Sequence, residues 1–495
     1  MEFLKQKFNL QTHEQSTNQI LVFMNYRILI LLILIACTNV LRSQNLLPEM
    51  VYPDTLRSTK DSFYVNSPKF NRSYQQLIAK DDTLNLGTQG YNGVSMTIWT
   101  DLDTLVIPHV NFPNGQLIKI PVASPNETSM AILRFQPNAS NFDEDYVLKS
   151  KEKIEISIPE VYELANIALY LSECSKLTGN HPDSEYTRRV NQHFSPFKDH
   201  QLIQVLNKNC SESKYWDVYY GFRENSNCFS FDSSNRLQYD TRYKQVYWDN
   251  TKIFGGHFRN MLYLVQDFVD KTKFREFYKE NLEYYNSLVN TQTRLLPMKR
   301  MWEWIENEFP QKMDNYKVFF SPLIVGSHST QRFSRGFFRD PEYQECIMFI
   351  NSPQNLELNK EYSEELKEGI MSGIVFTEID HNYVNPTSDR HFEAVKRLIA
   401  DKDIWATQEV QRNYKGEYAI FNEYMTHALF CLYVNENYQG KVRDELIDRR
   451  IDLMQRRGFP KFNQFNDIFL SKMKKRNSVY ESYLGVINAM EVIHK

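Results

Sequence analysis

The chain is 495 residues long, and 58 Lys and Arg against 61 Asp and Glu leave a net charge of −3, too small to single out nucleic acid or an anionic membrane as a partner. With 33 Phe, 30 Tyr, 6 Trp and 42% hydrophobic residues it can bury large cores, which excludes disorder for most of its length. Only 16 residues are glycine, and no G-x-G-x-x-G, G-x-x-x-x-G-K-[ST] or G-x-S-x-G occurs, so the dinucleotide-binding, P-loop and α/β-hydrolase classes lose their usual supports.

Arg27 precedes an apolar run from Ile28 to Ala36, short for a membrane span and of the length of a signal-peptide core. Met24 followed by Asn25, Tyr26 and Arg27 would make a compact start for such a signal. Residues 1–43 are therefore expected to be a signal peptide with an N-terminal extension. The protein is then exported: periplasmic, secreted or an outer-membrane lipoprotein. Leu34-Ile35-Ala36-Cys37 fits a lipoprotein box, which would place a membrane lipid anchor on Cys37, whereas Leu41-Arg42-Ser43 before Gln44 suits an ordinary signal peptidase. Beyond that segment Cys174, Cys210, Cys228, Cys346 and Cys431 show no C-x-x-C pair and no metal-finger spacing. Cys210 and Cys228 are close enough in sequence to bridge in an oxidising compartment.

From Met50 to about Asn141, strand-like runs such as Val94 to Trp99, Leu105 to Ile107 and Met130 to Phe135 alternate with Asn, Pro and Gly clusters, and residues 44–150 read as a small β domain without chemistry of its own. At Pro159 the period turns helical, with Val161, Leu164, Ala165, Ala168 and Leu171 on one face. Amphipathic helices are expected over Phe258 to Val289, Met298 to Glu308, Tyr362 to Tyr383, Glu417 to Asn435, Val442 to Arg457 and Ser478 to Ile493. Two strands interrupt them, Lys317 to Val325 and Cys346 to Ile350, paired and joined by a long polar loop. The fold class is α+β: a small N-terminal β domain, then, over 151–495, a mainly helical domain with a short antiparallel sheet.

Several conspicuous residues have plain readings. His193 and His200 flank Phe194, Pro196 and Phe197 and read as packing at a helix end. Gly255 and Gly256 read as a turn rather than an anion site, and Lys472, Lys474, Lys475 and Arg476 as a solvated helix face.

The stretch Gly373 to Pro386, G-I-V-F-T-E-I-D-H-N-Y-V-N-P, puts Glu378, Asp380 and His381 into an apolar helix. Residues three and four apart share a helical face, so Thr377, Glu378 and His381 converge. Asn385 before Pro386 favours a helix end there. The next strongly apolar helix carries Glu423 and His427 one turn apart. A carboxylate buried in such company needs a cation or a donor, and a zinc ion bridging the two helices would supply one.

T-E-I-D-H followed by N-Y-V-N-P resembles the H-E-x-x-H-x-x-V-N-P segment of the bacterial family catalogued as domain of unknown function 4932, which is similar in layout to the gluzincin metallopeptidases. The likeness runs from about Ile158 through Met454 and includes V-N-Q-H-F-S-P-F-K-D-H from Val190 to His200. It implies a zincin-like fold, zinc, and a peptide or protein substrate lying extended along a strand beside the active helix. By that resemblance His381 is the second histidine ligand, Glu423 the downstream glutamate ligand and Glu378 the general base that activates metal-bound water. Thr377 stands where the family has its first histidine ligand.

Three outcomes stay open. Glu378 joins His381 and Glu423 as a ligand, with Asp380 or an unidentified residue as base; or His427 or a loop histidine such as His328 completes the site and leaves Glu378 as base; or the site is degenerate and the protein keeps only the fold, with or without a peptide-binding cleft. Tyr383 and Tyr424 are the nearest candidate donors to an oxyanion. The functional expectation is an exported zinc-dependent peptidase, with a non-catalytic envelope protein that binds peptides or surface partners as the alternative.

Overall fold

The computed structural model describes residues 50–51, 55–59, 62–67, 72–77, 83–87, 96–107, 117–124, 128–136, 140–178, 183–211, 215–243, 258–337, 340–354, 359, 361–414 and 416–494. The apolar run expected to be a signal core, both candidate processing sites, Cys37 and the Gly255–Gly256 pair lie outside the described residues.

The N-terminal region holds β1 (Met50–Val51), β2 (Leu56–Arg57), β3 (Ser62–Ser67), β4 (Arg72–Leu77), β5 (Thr83–Gly87), β6 (Met96–Trp99), β7 (Thr104–Ile107), β8 (Leu117–Ala123) and β9 (Thr128–Gln136). They form two sheets, one in the order β1-β8-β9-β5 with β2 also on β8, the other β4-β3-β6-β7. Side chains alternate as a two-residue period requires: Met96 and Ile98 point inward while Thr97 and Trp99 stay half-exposed. Phe63, Val65, Ile118, Ile120, Val122 and Leu133 complete a core separate from that of the rest of the chain.

A large, mainly helical region follows, so the mixed α+β architecture is as expected. It begins with α1 (Glu144–Ser150), β10 (Lys153–Ser157), α2 (Glu160–Leu171), α3 (Glu185–Phe194), α4 (Gln201–Ser211), α5 (Tyr215–Asn225) and a hairpin of β11 (Phe229–Phe231) and β12 (Leu237–Tyr239). Next come α6 (Leu262–Thr272), α7 (Phe274–Glu280), α8 (Leu282–Leu295), α9 (Met298–Glu308), β13 (Asn315–Ser321), β14 (Ser329–Phe337) and β15 (Asp340–Asn351). The chain ends in α10 (Glu364–Ile379), α11 (His381–Arg390), α12 (Phe392–Leu398), α13 (Lys402–Trp405), α14 (Gln408–Asn413), α15 (Glu417–Asn437), α16 (Gly440–Arg456), α17 (Phe462–Met473) and α18 (Val479–Met490).

The sheet of this region is mixed, not antiparallel as expected. Its order is β10-β13-β15-β14; β10 and β15 both run parallel to β13, and β14 alone is antiparallel to β15. Val318, Phe320, Ile347, Met348, Phe349 and Ile350 are fully buried, the near-continuous apolar run of a strand covered on both faces. The supposed polar loop contains β14, S-T-Q-R-F-S-R-G-F, whose first four residues are half-exposed at the sheet margin. That polarity hid the strand.

Helix boundaries differ for local reasons. The long helix expected from Phe258 is three helices, because Lys273 takes a left-handed φ of 53° and the chain turns again at Asn281. The helix carrying Glu378 and His381 divides at Asp380, and its second part runs through Pro386 to Arg390 rather than ending at Asn385. Restarting at His381 puts Pro386 in the second turn, where it forfeits one backbone bond. α15 is buried on every face from Ile420 to Val434 and packs against α10, α11, α12, α16 and α17, which is how a helix apolar all round is accommodated.

Three further expectations are corrected. The disulfide joins Cys174 to Cys210, with Cα atoms 5.4 Å apart; Cys228 is outside any disulfide and buried in the short turn before β11. A lipid anchor finds no support: the described cysteines are either bridged or buried, so none offers the exposed thiol that acylation needs, and Cys37 is outside the described residues. In the basic cluster, Lys472, Lys474 and Lys475 are solvated, but Arg476 turns inward to Glu308 at 2.5 Å and Glu436 at 2.8 Å. Among the described residues no helix is long and apolar enough to cross a membrane. His193 and His200 do pack at a helix end, their Nε2 atoms 2.8 Å from the Thr272 carbonyl and 2.9 Å from Asp267.

Candidate functional site

Thr377 and Glu378 occupy the last turn of α10, Asp380 its junction with α11, and His381 the first position of α11. The Thr377 hydroxyl donates back to its own helix, to the carbonyls of Gly373 at 3.2 Å and Ile374 at 3.1 Å, a common local bond for threonine in a helix. His381 Nδ1 lies 3.1 Å from the Asn385 amide oxygen. Nδ1–H is the donor in that bond, which orients the ring. Nε2 faces Glu423 Oε1 at 3.6 Å.

Glu423 and His427 are buried one turn apart on α15. The side chains that answer them come from the end of α16. Arg457 Nη2 donates to Glu423 Oε2 at 2.7 Å and to the Tyr414 hydroxyl at 2.6 Å, while its Nη1 reaches His427 Nε2 at 2.7 Å. Arg450 donates to His427 Nδ1 at 2.8 Å and to the Gly373 carbonyl at 2.7 Å, with its guanidinium 4.4 Å from the Phe430 ring centre. Gly373 is glycine for a reason of space: a Cβ there would come within 2.2 Å of Arg450 Nη2. Gly458, with φ of +92°, ends α16 directly after Arg457 and fixes its direction.

The charges sort accordingly. Burial alone would raise the Glu423 carboxyl, but Arg457 and the two histidines hold it well below the ordinary carboxylate range. Burial, reinforced by the Glu423 charge, pushes Glu378 up to about 8. Burial, followed by Glu378, also raises Asp380 far above its usual value, and both Asp380 oxygens are buried without a partner. Burial lowers His427 to about 3, with both arginines adding to the effect. Arg450 falls to about 10 through burial.

This donor set does not fit a catalytic zinc ion, which takes three protein ligands and a water. Thr377 is turned to its own helix. Both ring nitrogens of His427 face arginines, Nδ1 toward Arg450 at 2.8 Å and Nε2 toward Arg457 at 2.7 Å, so neither is open to a metal ion. Glu423 Oε2 is saturated by Arg457. His328 lies in the β13–β14 connection with its Nε2 buried and unpartnered, and burial beside Arg223, Arg457 and Arg450 lowers it to about 4. Among the described residues no group of three or more His, Cys, Asp or Glu is disposed to hold a metal.

The two tyrosines named from sequence proximity belong to the core. Tyr383 bonds Tyr316 at 2.6 Å and Glu306 at 3.2 Å, and Tyr424 donates to the Trp405 carbonyl at 2.6 Å. What sequence reasoning missed was Arg450 and Arg457. Arg450 was visible in principle, since it lies on the buried stripe of α16 with Leu446 and Met454. A second buried pair, Arg223 and Glu224 of α5, is bonded to Ser329 and Gln331 of β14. Asn382 of α11 reaches the Thr330 hydroxyl of β14 at 3.3 Å, so the margin strand runs beside the junction that bears Glu378 and His381.

No family model matches the chain, and no curated protein or solved structure matches it either.

Proposed function

We propose that the protein is an exported peptide-binding protein with a peptidase-like frame and without hydrolytic chemistry. The observation that carries this reading is β14: an antiparallel strand with one strand partner among the described residues, lying at the sheet margin beside α11. A margin strand is a template for an extended peptide, with backbone bonds giving affinity and flanking side chains giving selectivity. The Ser334 carbonyl already accepts from the Ser140 N–H, away from β15, so by the alternation of an antiparallel ladder the backbone of Thr330 also points outward. The hydrolytic alternative, zinc with Glu378 as base, is disfavoured by the folded-back Thr377 and by the arginines that occupy Glu423 Oε2 and both ring nitrogens of His427. The Cys174–Cys210 bridge supports export, since such bonds persist in oxidising compartments.

The test is a panel of unstructured peptides titrated against the purified protein. Selective binding is expected to survive chelator and Glu378→Gln, and to be lost in Thr330→Pro, which removes an outward N–H while sparing the pairing with β15. Chelator-sensitive cleavage, or binding untouched by Thr330→Pro, refutes the reading.

A further inference from the structure

The groups around Glu423 are spaced as if about a cation, and the cation present is a side chain. Donors bonded to zinc at about 2.0–2.1 Å in a tetrahedron stand roughly 3.4 Å apart. Glu423 Oε1 and His381 Nε2 are 3.6 Å apart, and His427 Nε2 and Glu423 Oε2 are 3.7 Å apart. Asn385, bonded to Nδ1, turns the His381 Nε2 into this gap. Thr377 stands one helical turn before His381 on the same face, where a third donor would complete the set. Into the arrangement comes Arg457, one nitrogen on Glu423 and the other on His427, each at 2.7 Å.

We infer that Arg457 is a tethered cation in the place of a metal ion, and that its guanidinium, together with a threonine at position 377, is what keeps zinc out of the Glu423 cluster. A carboxylate this deeply buried requires a positive partner, and a guanidinium supplies one at fixed stoichiometry, without dependence on metal supply. Unlike a metal ion it leaves no open coordination position, so a bound carbonyl is not polarised for attack. The inference concerns the Glu423 cluster alone, so it stands or falls separately from peptide binding by the wild-type chain.

The experiment measures zinc bound per chain by elemental analysis after equilibration with zinc and gel filtration, with thermal melting beside it. Wild type and Thr377→His are expected to remain zinc-free, because Arg457 still holds Glu423. Thr377→His combined with Arg457→Gln is expected to take up one zinc per chain, with a rise in melting temperature on zinc addition, and to lose both when Glu423→Gln is added. Thr377→His with Arg457→Lys, which keeps the charge and the fold, is expected to exclude zinc. Stoichiometric zinc in Thr377→His alone overturns the inference, as does a folded Thr377→His/Arg457→Gln chain that takes up none. If that double variant folds only when zinc is supplied, the inference is supported; if it does not fold even then, stoichiometric zinc in Thr377→His or in Thr377→His/Arg457→Lys still overturns it.

Discussion

Replacing Gly373 by alanine separates what a helix prefers from what this site requires. In isolation the change favours the helix by about 1 kcal/mol. Here the new methyl would sit 2.2 Å from Arg450 Nη2 and 2.8 Å from Phe430 Cζ, so the guanidinium must leave. Its departure removes a charged hydrogen bond to the Gly373 carbonyl, worth about 1.5–3 kcal/mol, and the stacking over Phe430, worth about 1 kcal/mol. The crowding itself adds about 1 kcal/mol or more. The net expectation is a loss of about 3 kcal/mol, read by urea denaturation followed in the far-ultraviolet helical signal. Because both changes act on one contact, the Gly373→Ala cost is expected to shrink by at least about 1 kcal/mol in an Arg450→Met background. A Gly373→Ala protein as stable as wild type, or strictly additive costs, refutes the assignment of Gly373 as the floor beneath Arg450.

Other expectations follow from the buried ionisable groups and the bridge. Glu378 titrates at about 8 in the folded chain against an ordinary 4.5; the unfolded chain therefore releases its proton first, and the stability Glu378 contributes is lost as pH rises from about 4.5 to about 8. Glu378→Gln should remove that slope, gaining about 4 kcal/mol on wild type between pH 5 and pH 9 in denaturation curves; parallel curves refute it. His328 is lowered from 6.5 to about 4, so the unfolded chain takes up its proton first as pH falls, and stability present above about 6.5 is lost toward 4. His328→Gln should flatten that acid limb by about 2 kcal/mol, while His427, lowered to about 3 in the same direction, leaves a residual slope; an unchanged limb counts against a buried neutral His328. Peptide mapping should recover Cys174 joined to Cys210, and reduction should destabilise the fold by about 3–4 kcal/mol for a separation of 36 residues; recovery of a Cys210–Cys228 peptide contradicts the fold at that point.

The parts of the fold that were legible are those dominated by local pattern. The apolar face of α2, the all-round burial of α15 and the twofold alternation of β6 and β7 each appear in the residues themselves. β14 was not legible, because a margin strand with polar side chains has the composition of a loop and becomes a strand only through β15. The choice of Tyr383 and Tyr424 as oxyanion donors failed for a reason that helical geometry supplies: residues one or two positions from His381 and Glu423 point elsewhere, and both hydroxyls are committed to the core.

At the site, the sequence states a need that only the fold resolves. Glu423 in an apolar helix demands a positive partner whatever the fold, and His381 and His427 at helical spacings make a metal the first solution to come to mind. Arg457 answers the demand from 34 residues downstream, and its position depends on a glycine turn at Gly458 and on α16 crossing α15. The discriminating residue was nevertheless in plain view. Thr377 bonds its own helix and contributes no donor, so the cluster has one ligand too few for zinc and one arginine too many. The two departures are mutually consistent: once the first ligand position is lost, a guanidinium on Glu423 is the arrangement that leaves no buried carboxylate unpaired.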